Sequence, residues 1–326
     1  MYKKEKVIKE SMKYFNDDTL AANVFYNKYC LKDKEGMALE LTPDDMHKRL
    51  ASEFARVEKK FSGSRALSYD KIYSYLKDFK YIVPQGSPMY GIGNDYVKVS
   101  LSNCVVVESP EDNVSSIMDA GKDLANLFKR RCGVGIDISK LRPEGALVNN
   151  SARTTTGAWS FADFYSYVCR MIGQNGRRGA LMISMDVSHP DIEKFIEMKH
   201  DLTKVTGANV SVKITDDFML AVKEGRPYTL RWEGDIDGKY TKTVKAIDIW
   251  NKIVKSATET AEPGILMWDN IIKNLPAHEY DQFKTRTTNP CGEIALSAYD
   301  SCRLISINMT NFVSNEFRED ATFDYD

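Results

Sequence analysis

The most informative stretch of this chain is Thr287-Thr288-Asn289-Pro290-Cys291-Gly292-Glu293-Ile294-Ala295-Leu296-Ser297-Ala298-Tyr299-Asp300-Ser301-Cys302. It places an amide, a thiol and a carboxylate at alternate positions, Asn289, Cys291 and Glu293. In an extended segment alternate side chains share a face, so all three are expected to point at one small molecule. A second thiol, Cys302, closes the stretch eleven positions after the first.

A third thiol stands far upstream, in Ser102-Asn103-Cys104. A lone cysteine in a strand is usually a small buried apolar residue, and Asn-Pro-Cys-Gly by itself favours a turn. The complete string is much less expected by chance, and it favours a functional interpretation of Cys104, Cys291 and Cys302. The other cysteines are predicted to be buried packing residues; they are Cys30, Cys132 and Cys169.

These segments resemble the active site of a ribonucleotide reductase catalytic subunit, most closely the adenosylcobalamin-dependent (class II) branch. The resemblance implies a radical-based reduction of ribonucleotides to 2′-deoxyribonucleotides for DNA synthesis. Cys291 would be the radical cysteine, Glu293 the acid–base group and Asn289 the clamp for a hydroxyl group. Cys104 and Cys302 would be the reducing pair, which delivers two electrons by closing to a disulfide.

The periodicity of apolar residues predicts a helical segment over residues 1–80 and an α/β region over residues 81–326. Helix starts are expected at Thr42-Pro43 and near Pro190, and residues 228–232 and 240–244 are expected to form a β-hairpin. The resemblance implies the first half of a ten-stranded α/β barrel. The Asn-x-Cys-x-Glu segment would be the tip of its central finger loop, where Pro290 and Gly292 suit a constrained loop.

The same resemblance assigns ligand-binding residues outside the cysteine stretch. Substrate contacts are expected from Ser87 in Gln85-Gly86-Ser87-Pro88-Met89, from Asn103 and from Gly133. Gly133-Val134-Gly135 taken alone is a weak signal that mostly marks a tight turn, and it is not placed as a dinucleotide fingerprint. The predicted effector-binding residues, which serve an allosteric nucleotide site, are Asp112, Arg142, Arg177 and Arg178. For Arg177 and Arg178 the alternative is a basic helix end followed by a turn.

Composition limits the other possibilities. The chain is 43% hydrophobic and 28% charged, with a net charge of -1. This balance gives no electrostatic footprint for nucleic acid, and no apolar run is long enough to cross a membrane. Six cysteines are too few for a disulfide scaffold, which predicts a cytoplasmic, reducing location. The four histidines form no metal-ligand spacing, so no metal site is predicted and the radical is expected from a bound cofactor or a partner subunit.

Three interpretations stay open at this point. The first is a class II enzyme that uses adenosylcobalamin and an external dithiol such as thioredoxin, and that forms a homodimer. The second is a class I large subunit, with its radical supplied by a di-metal small subunit. The third is a non-catalytic nucleotide-binding or dimerisation fragment.

The resemblance also implies a second half-barrel, which is not found in this sequence. The chain is therefore expected to be the N-terminal piece of a split, intein-interrupted or truncated protein. It is expected to need a separate C-terminal half and to be inactive alone.

Overall fold

The computed structural model describes residues 1–61, 63–172 and 179–325. The helices are α1 (Lys4–Tyr14), α2 (Thr19–Val24), α3 (Pro43–Phe61), α4 (Tyr69–Leu76), α5 (Gly86–Gly91), α6 (Val114–Phe128), α7 (Ala158–Met171), α8 (Ile192–Glu197), α9 (Asp216–Glu224), α10 (Ala246–Thr260) and α11 (Trp268–Lys273). The strands are β1 (Ile82–Pro84), β2 (Cys104–Val106), β3 (Gly133–Asp137), β4 (Leu181–Asp186), β5 (Asn209–Ile214), β6 (Pro227–Leu230), β7 (Lys242–Lys245), β8 (Gly264–Met267), β9 (Thr285–Thr288), β10 (Ala295–Ser297), β11 (Ser301–Cys302), β12 (Ile305–Ile307), β13 (Val313–Ser314) and β14 (Thr322–Phe323).

The described residues divide into two compact units. The smaller unit contains residues 1–103 and 303–325, and the larger contains residues 104–172 and 179–302. The smaller unit holds α1 to α5 and the antiparallel pair β1–β12. Its core includes Val7, Phe25, Met46, Leu50 and Leu76. The predicted helical character of this segment is confirmed, and α3 begins at Pro43 as expected. The boundary predicted after residue 80 stays a prediction.

The larger unit is built on a six-stranded mixed sheet with the order β11-β2-β3-β4-β5-β8. The five strands β2, β3, β4, β5 and β8 run parallel to one another. Strand β11 pairs antiparallel with β2 at one edge of the sheet. Helices connect successive parallel strands, which confirms the predicted α/β class. The predicted β-hairpin is confirmed as β6–β7. Gly133-Val134-Gly135, a weak signal when taken alone, lies at the start of strand β3.

The two faces of the sheet differ because side chains alternate along each strand. One face carries large apolar residues that pack in the core with the helices; among them are Val134, Ile136, Leu181, Ile183, Val210 and Val212. The other face carries small or polar residues, among them Gly133, Gly135, Asp137, Ser184, Ser211 and Lys213. A parallel sheet covered by helices on both faces would be apolar on both. The polar face is therefore not covered by helices in the usual way, and it is available for another segment of the chain or for a polar ligand.

Candidate active site

The stretch that carries Cys291 folds as an antiparallel hairpin, which we call the finger hairpin (residues 285–297). Its strands are β9 and β10, and the backbone amide of Asn289 donates to the Ile294 carbonyl at 3.1 Å. The Gly292 amide donates to the Asn289 carbonyl at 3.0 Å, and Gly292 has a φ of 83°. The tip is therefore a tight turn that uses the left-handed conformation glycine adopts readily.

This turn corrects one argument from the sequence. The expectation that Asn289, Cys291 and Glu293 share a face assumed an extended segment, and that assumption is wrong. Asn289 is completely buried, whereas Cys291 and Glu293 are exposed. The three side chains are brought to one end of the hairpin by a turn, and they meet different surroundings there.

Cys104 and Cys302 are direct neighbours in the sheet. They are opposite each other in the antiparallel pairing of β2 with β11, and each side chain is only 6% exposed. Residues opposite each other in such a pair have Cα atoms about 4.5 to 5.5 Å apart, a separation that a disulfide spans without backbone movement. Neither cysteine is disulfide-bonded in the structure. The pair is therefore a dithiol within reach of disulfide formation.

The Cys104 thiol is kept neutral by its surroundings. Burial, together with the adjacent Cys302 thiol, raises the pKa of Cys104 to about 12. The Asn289 side chain opposes this rise in pKa, while Cys291 adds to it. A hydrogen-bond effect acts only at short range, so the Asn289 side chain lies next to Cys104. The Pro290 ring, one residue before Cys291, also lies close to the Cys104 sulfur, since both approach the same side of Gly133.

Asn289 contributes a buried hydrogen-bond donor. Its Oδ1 accepts a hydrogen bond from the Ile294 amide at 3.2 Å. Its Nδ2 lies beside the Cys104 thiol but makes no hydrogen bond of normal geometry, although the atom is buried. Buried donors are almost always paired, so the Nδ2 group of Asn289 stands out as one that remains available for a further hydrogen bond.

The finger hairpin lies against strand β3 because that strand lacks side chains where the two meet. A Cβ placed on Gly135 would lie 1.9 Å from the Thr288 carbonyl oxygen. A Cβ placed on Gly133 would lie 2.9 Å from the Pro290 ring and 3.1 Å from the Cys104 sulfur. Gly135 is thus required for the close approach of the Thr288 backbone, and Gly133 for that of the Pro290 ring and the Cys104 sulfur. The predicted role of Gly133 toward substrate stays a prediction.

A buried polar chain supports the stem of the finger hairpin. Ser184 Oγ donates to Asp137 at 2.6 Å and lies 2.7 Å from the hydroxyl of Thr287 on β9. Lys213 contacts both Asp137 and Asp186 at 2.9 Å. Burial alone would lower the pKa of Lys213, but the two carboxylates outweigh it and the pKa is raised.

Asp137, Asp186 and Lys213 border a polar cavity of about 680 Å³ at the C-terminal ends of β3 and β4. Cys104 lies at the opposite, N-terminal end of the parallel strands, since it is the first residue of β2. Its partner Cys302 lies there as well. Sequence reasoning missed Asp137, Ser184 and Lys213. The signal that could have found them is the alternation of apolar with small or polar residues in all three central strands.

Two predicted substrate residues belong to the smaller unit. Ser87 is completely buried in the short helix α5. Asn103 is buried as well; its Nδ2 donates to the Gln85 carbonyl at 3.4 Å and its Oδ1 accepts from the Leu304 amide at 3.2 Å. Asn103 therefore organises the backbone around α5, and its role toward substrate stays a prediction.

The predicted effector residues Asp112 and Arg142 bind each other. Arg142 Nε donates to the Asp112 carboxylate at 2.6 Å, and the Arg142 backbone amide donates to it at 3.0 Å. The guanidinium also donates to the Leu147 carbonyl. With the bond from Nη2 to the Asp112 carbonyl, three of the five guanidinium N–H groups bind the protein itself. The other two predicted effector residues, Arg177 and Arg178, lie outside the described residues.

The other cysteines fit their predicted structural role. Cys30, Cys132 and Cys169 are all buried, and Cys169 packs in the core of the larger unit. Among the residues that the structure describes, no group of three or more histidine, cysteine or acidic side chains is arranged to hold a metal ion. No helix in the described part of the chain is both long and apolar enough to cross a membrane.

Comparison with known families covers almost the whole chain. Residues 15–90 match the all-alpha domain of ribonucleotide reductase, and residues 102–326 match its barrel domain. The helical segment followed by part of an α/β barrel is thereby confirmed as the fold class.

Individual relatives are similar over about nine tenths of the chain. The vitamin B12-dependent ribonucleoside-diphosphate reductases of Thermoplasma acidophilum and Mycobacterium tuberculosis are 28% and 29% identical over 90% of it. The ribonucleoside-diphosphate reductase large chain 2 of Saccharomyces cerevisiae is 25% identical over 91%. The chain spans 44%, 42% and 38% of the lengths of these three relatives, respectively. It belongs to the ribonucleotide reductase large-subunit family.

Proposed function

We propose that this chain carries the thiol chemistry of ribonucleotide reduction, with ribonucleoside diphosphates as substrates. One observation carries the proposal: Cys104 and Cys302 face each other in the sheet, and the finger hairpin brings Cys291 and the unpaired Nδ2 of Asn289 to them. The substrate class is supported by the names of the relatives, which are ribonucleoside-diphosphate reductases.

In the proposed reaction the five residues divide the work. A sulfur-centred radical on Cys291 removes the 3′ hydrogen atom of the ribose, while Glu293 accepts the 3′ hydroxyl proton as a general base. Asn289 donates a hydrogen bond from Nδ2 to a ribose hydroxyl and so fixes the sugar.

The 2′ hydroxyl group leaves as water, and Cys104 and Cys302 supply two electrons and two protons as they form a disulfide. Cys291, which has held the hydrogen atom as a thiol since the first step, then returns it to the 3′ carbon, and this transfer regenerates the sulfur-centred radical on Cys291. The products are one deoxyribonucleotide, one water molecule and one disulfide for each ribonucleotide and dithiol.

The radical is proposed to come from adenosylcobalamin, because the two relatives from Thermoplasma and Mycobacterium are named vitamin B12-dependent. When bound, this cofactor supplies an organic radical by homolysis of its carbon–cobalt bond. The described residues fit such a source at one point, since the Cys291 side chain that would receive the radical is exposed. The yeast relative, whose name mentions no vitamin, keeps open the alternative of a radical from a di-metal small subunit.

Further partners follow from the resemblance and remain proposals. They are a nucleoside triphosphate effector, a second copy of the chain, a thioredoxin-type dithiol reductant and a polypeptide that supplies the second half-barrel. A non-catalytic fragment that binds nucleotide is the competing proposal. The predicted cytoplasmic location stays a prediction.

The decisive experiment counts products in the absence of reductant. The chain is combined with a polypeptide covering the second half of a relative, adenosylcobalamin and a ribonucleoside diphosphate. Without an external dithiol we expect at most one deoxynucleotide per chain, because the Cys104–Cys302 pair holds two electrons. Cys291→Ser and Cys302→Ser should each form none, and Cys169→Ser, which alters a buried core thiol, should behave like the unmodified chain. An active Cys291→Ser variant would refute the proposal.

A further inference from the structure

One hydrogen bond joins the sheet to the finger hairpin next to Cys291. Asn209, the first residue of β5, donates from Nδ2 to the Pro290 carbonyl oxygen at 3.2 Å. That carbonyl belongs to the peptide group linking Pro290 to Cys291, so the bond acts on the backbone from which the Cys291 side chain projects. We propose that Asn209 is a positioning residue for Cys291, which holds its thiol beside Cys104.

Apart from the packing of the Pro290 ring against Gly133, the other contacts described for the finger hairpin restrain its stem. The bond between Ser184 and Thr287 and the close approach of Gly135 to Thr288 both act before the turn begins. Beyond Pro290 the chain leaves the protein interior, since Cys291 and Glu293 are exposed. Asn209 therefore binds the backbone at the junction between the buried stem and the exposed tip. A hydrogen bond at this junction limits how far the tip can tilt relative to the stem.

The chemistry of an amide suits this role. Its N–H group donates to the carbonyl, and its neutrality leaves the nearby thiols without an added charge. Asn209 is itself exposed, so water can replace the lost bond when the amide is removed. Loss of the amide should therefore release the tip without leaving a buried group unpaired, and the fold should survive.

The test measures how readily Cys291 reaches Cys104. In a Cys302→Ser chain, equilibration with glutathione mixtures allows a Cys104–Cys291 disulfide to form. The two thiols give up two electrons and two protons to oxidised glutathione, which becomes two molecules of reduced glutathione. In a Cys291→Ser chain the same mixtures report on the Cys104–Cys302 disulfide. Peptide mass spectrometry quantifies both.

We expect Asn209→Asp to lower the equilibrium constant for the Cys104–Cys291 disulfide by about fivefold, the usual worth of one partly exposed hydrogen bond. Asn209→Ala, which adds no charge, should lower it to the same extent. Neither variant should change the Cys104–Cys302 disulfide, because the strand pairing fixes that pair. The matched controls Asn274→Asp and Asn274→Ala remove an equivalent exposed amide-to-carbonyl bond, to Asn270, and should change neither disulfide.

Three results would overturn the assignment. They are an unchanged Cys104–Cys291 constant in the Asn209 variants, an equal fall for both disulfides, and a Cys302→Ser chain that forms no Cys104–Cys291 disulfide. The second would mean that Asn209 only stabilises the fold. Since the measurement needs no nucleotide and no cofactor, its outcome is separate from whether the chain takes part in ribonucleotide reduction.

Discussion

The cysteine site and the Asp112–Arg142 pair follow from the same family resemblance, yet the structure leaves them in opposite chemical states. At the cysteine site, Asn289 keeps a buried donor without a normal hydrogen bond. In the other region, three of the five guanidinium N–H groups of Arg142 already donate to Asp112 and Leu147. The first site keeps a donor that a polar ligand could use. At the second site, a ligand that took the donors now bound to Asp112 and Leu147 would first have to break those bonds, so part of its binding free energy would be offset.

The largest expected effect concerns the reactivity of Cys104. With a pKa of about 12 instead of the ordinary 9.0, this thiol stays protonated at neutral pH. Its thiolate fraction should be about a thousandfold smaller than in the unfolded chain, because each pKa unit is a factor of ten. Alkylation by iodoacetamide at pH 7, followed by peptide mass spectrometry with and without urea, measures the ratio. A Cys104 that reacts equally fast in both conditions would show that the site is open to water.

The next largest effect is a loss of stability when a methyl group is added to a glycine. It should be larger beside the finger hairpin, where packing is tight, than near the predicted effector residues, where packing is loose. Gly135→Ala would force a Cβ against the Thr288 carbonyl, and we expect a loss of about 3 kcal/mol in the free energy of unfolding. The control is Gly145→Ala, three residues after Arg142, where no atom lies within 4 Å and φ is 78°. Backbone strain alone should cost it about 1 kcal/mol. Urea titration distinguishes the two, and equal losses would contradict the close approach.

A smaller effect is expected at Asn289. Asn289→Ala removes the acceptor for the half-buried Ile294 amide, and the free energy of unfolding should fall by about 1 to 2 kcal/mol. The side-chain amide of Asn289 opposes the rise in the pKa of Cys104, so the loss of that side chain should raise the pKa further. Alkylation of Cys104 as a function of pH would then shift to higher pH. A shift to lower pH would mean that the amide does not face the thiol.

The smallest effect belongs to the Asp112–Arg142 pair. Both side chains are partly exposed, so a double-mutant cycle with Asp112→Ala and Arg142→Ala should give a coupling of about 0.5 to 1 kcal/mol. A saturating nucleoside triphosphate should reduce this coupling, because phosphate oxygens compete for the guanidinium. Unfolding measured with and without the nucleotide tests this. A coupling that the nucleotide leaves unchanged would remove Arg142 from the proposed effector site.

Part of this picture could be predicted from the sequence. Local signals located the start of helix α3 at Pro43 and the strands of the β6–β7 hairpin within a few residues. The cysteines were identifiable because their string is long and specific. The turn at Gly292 was indicated by its neighbours, yet the argument from alternate positions still failed, since a local conformation decides where side chains point.

The rest depends on which strands become neighbours. Nothing local to Asn209 or Ser184 reveals that the finger hairpin crosses them, because those contacts join segments far apart in the chain. The glycines of β3 were visible, but their reason was not: it is the approach of a distant backbone. Whether Arg142 is engaged internally also depends on tertiary hydrogen bonds that a sequence does not display.

Strand β11 has a thermodynamic consequence. It brings together Cys104 and Cys302, which stand at opposite ends of the larger unit's sequence. A disulfide between them closes a very long loop, and such a cross-link restricts the denatured ensemble more strongly as the loop lengthens. Oxidation should therefore make the unit harder to melt than its dithiol form. Each redox cycle would then alternate between a more and a less heat-resistant state, and calorimetry could follow the oxidation state without any chemical label.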